Sequence, residues 1–348
     1  MLESEGLDGL IVTHLPNVRY LTGFTGSAAV LFLLGTELVL ISDFRYRTQA
    51  ESEVGEAARI EIVSSDVWGR AWRVLGEYHP VPTLGFEADA VTVQTAQRFD
   101  AAEVRSTLRP VVGLVERLRA AKHPSEVAAI REAARLATDA FEDAVRHIRP
   151  GVTEREVAAQ LEYALRLRGS EWHPFATIVA SGKRSALPHA RTGTRRIEAG
   201  DLVLVDFGAQ LDGYCADLSR TVVIGRPDER QRTIYDLVRE AQRGALSAIR
   251  AGMTGQEADA LARSVIASRG FGDAFGHSLG HGLGLEVHEA PRVSATNEDT
   301  LPENAVVTIE PGIYLPGWGG IRIEDDVHLT AEGAVLLSDG QTEFRELG

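Results

Sequence analysis

Residues 202–221 read LVLVDFGAQLDGYCADLSRT, a pattern typical of a β-hairpin. An apolar, β-branched run ends at Asp206. Glycines suited to a turn follow, and Asp217 precedes a second strand-like run. A charge at the end of a buried strand is costly unless it has a partner, and one divalent cation can serve several acids at once. The stretch therefore predicts a hairpin that turns carboxylates toward a shared cation.

A second stretch repeats this arrangement. Residues 306–325 read VVTIEPGIYLPGWGGIRIED, in which Glu310 and Glu324 are the corresponding acids. Upstream of the two hairpins, IRPGVTERE at 148–156 corresponds to IRAGMTGQE at 249–257, and each lies between two alanine-rich helical segments. The unit of helix, turn, helix and hairpin therefore occurs twice. Two copies folded about a pseudo-twofold axis would bring their acid pairs face to face around one central site.

Five residues form the predicted metal site: Asp206, Asp217, His281, Glu310 and Glu324. Four carboxylates and one imidazole suit Mn²⁺, Co²⁺, Zn²⁺ or Fe²⁺ better than they suit a structural zinc site built from cysteines. They exceed the ligands that one open catalytic metal requires, so we expect bridging carboxylates to hold two ions roughly 3.5–4 Å apart. Arg322 shares one face with Glu324 in a strand predicted over 321–324, although a salt bridge is the alternative for this pair taken alone.

Histidines cluster near these acids. His277, His281 and His288 occupy one glycine-rich segment, and His189 lies in SALPHART. The glycines on either side of His281 leave room for close backbone approach. A neutral histidine can donate to a developing oxyanion or shuttle a proton near neutral pH. A hydrogen-bonded loop residue is the alternative for each histidine taken singly.

Length and periodicity predict two domains, since 348 residues are many for one. Short apolar runs alternate with helical segments in the first part and predict an α/β domain over residues 1–117. These runs lie at 10–13, 29–34 and 38–42. From Pro124, apolar residues recur three or four positions apart, which predicts a long amphipathic helix. We therefore expect a linker at 118–123 and a second domain over 124–348.

The composition fits an ordinary soluble enzyme. A net charge of −14 disfavours binding to nucleic acid or to anionic membranes. Cys215 is the single cysteine, so no disulfide can form within the chain. The N-terminus shows no export signal, and the longest strongly apolar run, at 28–34, is too short to span a bilayer. We therefore expect a cytoplasmic protein with no nucleic-acid partner and no membrane contact.

Several motifs occur in the order and spacing of a known family. They are PHA at 188–190, VDFG at 205–208 with Asp217 eleven residues after Asp206, GHGLG at 280–284, IEPGIY at 309–314 and RIED at 322–325. Near the N-terminus, YLTGFTGS and SDFRY occur as well. With these motifs the chain resembles the pita-bread metallopeptidases, in the branch of the Xaa-Pro dipeptidases (prolidases) and aminopeptidases P. The resemblance implies an α/β (α+β) fold, in which a creatinase-like N-terminal α/β domain precedes a pseudo-twofold pita-bread catalytic domain.

The resemblance also implies roles for named residues. The five predicted ligands would bind two divalent metal ions, with Mn²⁺ expected and Co²⁺ or Zn²⁺ as alternatives. Asp217 and Glu324 would bridge the ions, a hydroxide would sit between them, and Glu310 would also take the proton of the nucleophilic water. His189 and His288 would contact the scissile carbonyl and the tetrahedral intermediate. His277 would shape the proline pocket, and Tyr314 and Arg322 would orient Glu324.

The implied substrate is a small peptide with proline in the second position, and the implied oligomer is a homodimer. A peptide bond to proline has no N–H, so the ring must be recognised by its shape. Of the two activities in this branch we favour the dipeptidase, because Lys183 and Arg184 could pair with the free carboxylate of the proline. Arg45 and Arg47 could do the same from a neighbouring subunit. A solvated loop is the alternative for Lys183 and Arg184.

Other functions are open at this point. An aminopeptidase P would act on longer peptides. Methionine aminopeptidases share the catalytic fold, but they generally lack the N-terminal domain that residues 10–117 predict. Creatinases have both domains without the metal ligands. A non-enzymatic peptide-binding relative would have lost ligands, whereas all five are present here.

Overall fold

The computed structural model describes residues 2–78, 80–101, 105–338 and 341–348. The chain divides into two compact units, Met1–Leu118 and Arg119–Gly348. This division falls within a short helix, Leu114–Ala120, so the linker predicted at 118–123 begins inside regular structure.

The first unit is an α/β layer around one mixed sheet. Its strands are β1 (Gly9–Val12), β2 (Ala29–Leu34), β3 (Glu37–Asp43), β4 (Arg59–Val63), β5 (Thr83–Glu87) and β6 (Thr107–Val111). Its helices are α1 (Leu15–Thr22), α2 (Arg47–Glu53), α3 (Val67–Glu77), α4 (Val93–Ala101) and α5 (Leu114–Ala120). The strand order is β4-β3-β2-β1-β5-β6. Leu10 and Ile11 pack into apolar clusters on opposite faces of the sheet, so β1 is buried on both sides.

The second unit contains the two predicted copies. The first copy and its hairpins comprise α6 (Pro124–Ala144), α7 (Glu154–Leu167), β7 (Ile178–Ser181), β8 (Leu202–Phe207), β9 (Gln210–Leu211), β10 (Tyr214–Cys215) and β11 (Leu218–Ile224). The second comprises α8 (Glu229–Ala248), α9 (Gly255–Ser268), β12 (Gly280–Gly282), β13 (Glu289–Val293), β14 (Val306–Ile309), β15 (Gly312–Leu315), β16 (Gly319–Arg322), β17 (Asp325–Leu329) and β18 (Ala334–Leu336). A last strand, β19 (Glu346–Leu347), pairs with β11.

The two copies share their helix starts and the arrangement of three strands at the middle of each sheet. Thr153 begins α7 with a capping box to Glu156, and Thr254 begins α9 with the same box to Glu257. The sheets run β19-β11-β8-β7 and β13-β12-β14-β17-β18. In each, a central strand lies antiparallel to both of its neighbours: β8 between β7 and β11, and β14 between β12 and β17. The predicted duplication, and the fold class built on it, are confirmed.

Each copy buries its helices against its own sheet. Helix α6 begins at Pro124 as predicted, with His123 as its N-cap and Glu126 completing a capping box. One core joins the C-terminal half of α6 and α7 to β8 and β11, with Phe141 stacked on Phe207. In the second copy, another core joins α8 and α9 to the strands of that copy. The helices of each copy therefore cover the face of its sheet that lies away from the acids.

The hairpin loops differ in one respect from expectation. The strand predicted over 321–324 ends at Arg322, and Glu324 instead forms an isolated antiparallel bridge with Ser219. In this bridge the Glu324 N–H donates to the Ser219 carbonyl at 3.1 Å. The bridge joins the second copy to the first, so a contact between the repeats fixes the backbone of one predicted ligand.

Candidate metal centre

Asp217, His281 and Glu324 come together from three elements. Asp217 immediately precedes β11, His281 is the middle residue of β12, and Glu324 lies between β16 and β17. Their nearest ligand atoms all lie within 4.8 Å of one another. The glycines on either side of His281 let β12 lie close to the neighbouring backbone. A Cβ at Gly280 would lie 1.9 Å from the Thr308 carbonyl oxygen, and one at Gly282 would lie 2.2 Å from the Ala290 carbonyl oxygen.

The Asp217 carboxylate fits a cation better than it fits its present surroundings. Its residue is 5% exposed, and Oδ1 has no hydrogen-bond partner in the part of the chain that the structure describes. Burial, together with the charges of Glu324 and Asp206, raises the pKa of Asp217 well above its ordinary value. A divalent cation stabilises a buried carboxylate oxygen that has no hydrogen-bond donor and lies close to other acids.

Glu324 is buried beside Asp217, and Glu310 is a partly buried acid of the same group. Glu324 accepts a hydrogen bond from the Ser219 hydroxyl at 2.7 Å, and burial, followed by Asp206, raises its pKa to about 8. Burial, followed by Glu324, also raises the pKa of Glu310 well above its ordinary value. Glu310 Oε1 lies 3.6 Å from His281 Nε2, and Asp217 Oδ2 lies 3.7 Å from the same nitrogen. The structure therefore gathers these three acids around one imidazole.

The His281 ring presents Nε2 to the acids. Its Nδ1 lies 3.1 Å from the Gly282 carbonyl, and because a carbonyl only accepts, Nδ1 carries the proton. Burial, with a contribution from His288, lowers the pKa of His281 to about 4. The neutral ring thus leaves the Nε2 lone pair free of a proton, as metal ligation requires.

Asp206 is held differently from the other predicted ligands. Its Oδ2 accepts from Arg322 Nη2 at 2.6 Å. The same guanidinium donates from Nε to Ser219 Oγ at 2.8 Å and from Nη1 to Tyr314 Oη at 2.9 Å. Arg322 therefore connects Asp206 to the serine that holds Glu324.

A short hydrogen-bonded chain extends from Arg322 to His277. His277 Nδ1 lies 2.8 Å from the Ser278 carbonyl and so carries the proton, which leaves Nε2 to accept from Tyr314 Oη at 2.9 Å. Burial raises the pKa of Tyr314 to about 12 and lowers that of His277 to about 4. Both side chains are therefore neutral, and each has a fixed orientation beside the acids.

The remaining predicted residues lie at the edge of the site. The His288 ring centroid lies 4.3 Å from that of His281, and burial lowers the pKa of His288. His189 is exposed, next to Pro188, whose carbonyl accepts from Arg322 at 3.2 Å. Arg184 forms an ion pair with Glu154: its Nε lies 3.1 Å from Glu154 Oε2, and the Glu154 side chain is fully buried.

Sequence reasoning did not identify some residues that hold the ligands. Asp326 is fully buried and accepts the Asp217 N–H at 3.1 Å through Oδ2, and burial raises its pKa well above the ordinary value. Asp325 binds Arg220 at 2.8 Å and Gln242 at 2.6 Å. The sequence held a signal for these acids in IEDD at 323–326. Three consecutive acids directly follow an isoleucine there, and so short a group is not a solvated acidic run.

Two family profiles match the chain. The profile described as Metallopeptidase family M24 matches residues 128–331, and the profile described as Creatinase/Prolidase N-terminal domain matches residues 1–121. The first match covers more than half of the chain and includes all five predicted ligands.

Individual proteins are similar to the chain over nearly its whole length. The Xaa-Pro dipeptidase of Pyrococcus furiosus is 38% identical, and the match covers 99% of this chain and 97% of that protein. The structure of an Xaa-Pro dipeptidase from Bacillus anthracis has a TM-score of 0.96 at 41% identity, covering 99% and 97% of the two chains. The structure of an X-Pro aminopeptidase from Thermotoga maritima MSB8 has a TM-score of 0.92 at 38% identity, with the same coverage.

Proposed function

Because the chain belongs to metallopeptidase family M24, we propose that it is an Xaa-Pro dipeptidase, which hydrolyses the peptide bond before proline in a dipeptide. One observation carries the proposal: Asp217, His281 and Glu324 converge in a chain that matches an Xaa-Pro dipeptidase over 99% of its length. The match includes the N-terminal unit, which a creatinase/prolidase profile also covers.

We propose that two divalent ions, Mn²⁺ in the first instance, bind to Asp206, Asp217, His281, Glu310 and Glu324. The donor set supports this, because four carboxylates and an imidazole are the ligands that Mn²⁺, Co²⁺ and Zn²⁺ accept. The partnerless Oδ1 of Asp217 supports it as well. When bound, such ions supply Lewis-acid activation of water and of the scissile carbonyl.

The chain's own residues would then handle protons and developing charge. Glu310 is the proposed acceptor of the proton from the attacking water, since its carboxylate lies beside His281 among the other acids. His288 and His189 are the proposed donors to the oxyanion, the position at which preorganised donors contribute most to such reactions. The prolyl nitrogen has no N–H of its own and must gain a proton as it leaves.

His277 and Tyr314 are proposed to form one wall of the proline pocket. Their mutual hydrogen bond, together with the bond of His277 Nδ1 to the Ser278 carbonyl, satisfies the polar atoms of both rings, so they can face an apolar ring at little cost. Arg184 remains a proposed contact for the substrate carboxylate. Its bond to Glu154 favours neither this contact nor the solvated loop given as its alternative, and supports a structural role instead.

The test compares Ala-Pro with Ala-Pro-Ala, in protein supplied with Mn²⁺. We expect kcat/KM to be higher for the dipeptide, with an Asp217→Asn variant as the inactive control. Faster turnover of the tripeptide would make the chain an aminopeptidase P, the second candidate, which the similarity to the Thermotoga maritima structure favours. No hydrolysis of either peptide would refute both.

A cytoplasmic location and a homodimer complete the proposal. Across the described ranges, no helix is both long and apolar enough to cross a membrane. Cell fractionation and light scattering of the purified chain test these two points.

A further inference from the structure

We propose that Glu289, clamped by Arg119 and Lys122, is a positioning residue for His288. The proposal rests on the function proposed for His288 at the oxyanion. Glu289 directly follows His288 and begins β13. Its side chain is only 4% exposed, although nothing in the reaction requires a buried carboxylate at this position.

The Glu289 carboxylate has a cation on each oxygen. Oε1 lies 2.8 Å from Lys122 Nζ, and Oε2 contacts Arg119 Nη2. The two cationic side chains are themselves buried, at 1% exposed for Lys122 and 2% for Arg119. Removing one member of such a cluster leaves a buried charge uncompensated, so the members hold one another in place.

The same carboxylate lies inside the loop that carries His288. Residues 283–288 connect β12, with its ligand His281, to Glu289. The Glu286 N–H donates to Glu289 Oε2 at 3.4 Å, and a Cβ at Gly284 would lie 2.4 Å from Glu289 Oε1. The loop therefore closes around the carboxylate, and glycine at 284 admits it.

Two further contacts fasten this loop from outside. Arg119 Nη2 also lies 2.9 Å from Glu286 Oε2, so that two basic side chains contact two carboxylates. The Gly284 carbonyl accepts from Cys215 N at 2.7 Å, which ties the loop to the strand just before Asp217. His288 is exposed at the end of the loop, so its place beside His281 depends on this backbone.

A double-mutant cycle tests whether Glu289 acts through His288. We expect Glu289→Gln to lower kcat on Ala-Pro about 10- to 100-fold with a smaller change in KM, as loss of a group that orients a functional residue does. In a His288→Gln background the same substitution should lower kcat little further. Equal losses in both backgrounds would overturn the proposal.

A matched control separates this effect from loss of an ion pair in general. Asp201 is a carboxylate held by Arg195 at 2.5 Å, with its side chain 11% exposed, and its side-chain partners, Arg195 and the Glu198 N–H, are not among the predicted metal ligands. We expect Asp201→Asn to leave kcat unchanged. A fall in kcat equal to that of Glu289→Gln would count against a specific role for Glu289.

Hydrogen exchange provides a readout that needs no activity. In Glu289→Gln, and in Lys122→Met as a second variant that leaves Arg119 in place, amides within 283–288 should exchange faster while those of α8 stay protected. Unchanged exchange in the loop, or equal loss of protection throughout the unit in both variants, would overturn the proposal. If the wild type cleaves no Xaa-Pro peptide, the proposed function fails while the exchange result still decides whether the clamp exists.

Discussion

Asp217, Glu310 and Glu324 are largely withdrawn from solvent and have other acids as neighbours, and desolvation is the first cause of the raised pKa of each. Arg322 cannot neutralise them all, because its Nη2 binds Asp206 and its other donors bind Ser219 and Tyr314. Two conditions relieve the remaining repulsion: the acids take up protons, or cations bind between them. A bound cation is therefore favoured by the individual side chains, in agreement with the metallopeptidase family to which the chain belongs.

This repulsion predicts how the metal-free protein responds to pH. The pKa of Glu324 rises from 4.5 to about 8 on folding. Between those values the folded state holds a proton that the unfolded state has released, so this residue makes the free energy of unfolding fall as pH rises. Glu324→Gln cannot titrate and should lose less stability across the same window.

The measurement is thermal unfolding of both proteins in chelator, from about pH 5 to about pH 8. The difference in stability between variant and wild type should grow in favour of the variant as pH rises. Parallel curves would show that Glu324 is ionised in the metal-free folded state.

Strands and turns were the part of the structure that sequence patterns predicted best. The run at 29–34 has the bounds of β2, and the helix start at Pro124 is that of α6. Both depend on local signals, namely a short apolar run for β2 and, for α6, a proline followed by apolar residues three or four positions apart. Glu324 was placed in a strand that in fact ends at Arg322, because its bridge to Ser219 joins residues far apart in sequence.

Glycine in β12 gives a prediction at the scale of this element. A Cβ at Gly280 would overlap the Thr308 carbonyl of β14, so Gly280→Ala must separate the two strands and displace His281. We expect a loss of about 1–3 kcal/mol in the free energy of unfolding, the usual cost of overpacking. Chemical denaturation with and without Mn²⁺ measures the loss, which should include weaker metal binding.

Gly244 is the matched control for the same substitution. It lies within α8, and a Cβ there would meet no atom within 4 Å. Gly244→Ala should therefore stabilise the protein by about 0.5–1 kcal/mol, because alanine is favoured over glycine inside a helix. If both variants changed stability alike, close strand approach would not be the reason for glycine at 280.

At the scale of the whole molecule, duplication explains how the site is assembled. Asp217 belongs to the first copy, while His281 and Glu324 belong to the second, so neither copy alone supplies the group. The repeated motifs made this arrangement predictable from sequence. The contacts of Asp326 and of the clamp at Glu289 were not predictable in the same way, because each joins segments about a hundred or more residues apart.

The most direct test counts metal ions and activity in the same sample. The chain is stripped with chelator, titrated with Mn²⁺, and assayed on Ala-Pro while bound metal is determined by mass spectrometry. We predict no hydrolysis without metal, full activity at two ions per chain, and loss of both bound ions and activity in His281→Ala. Undiminished hydrolysis by the stripped chain, or saturation of activity with no ion bound at Asp217, His281 and Glu324, would contradict a binuclear metallopeptidase.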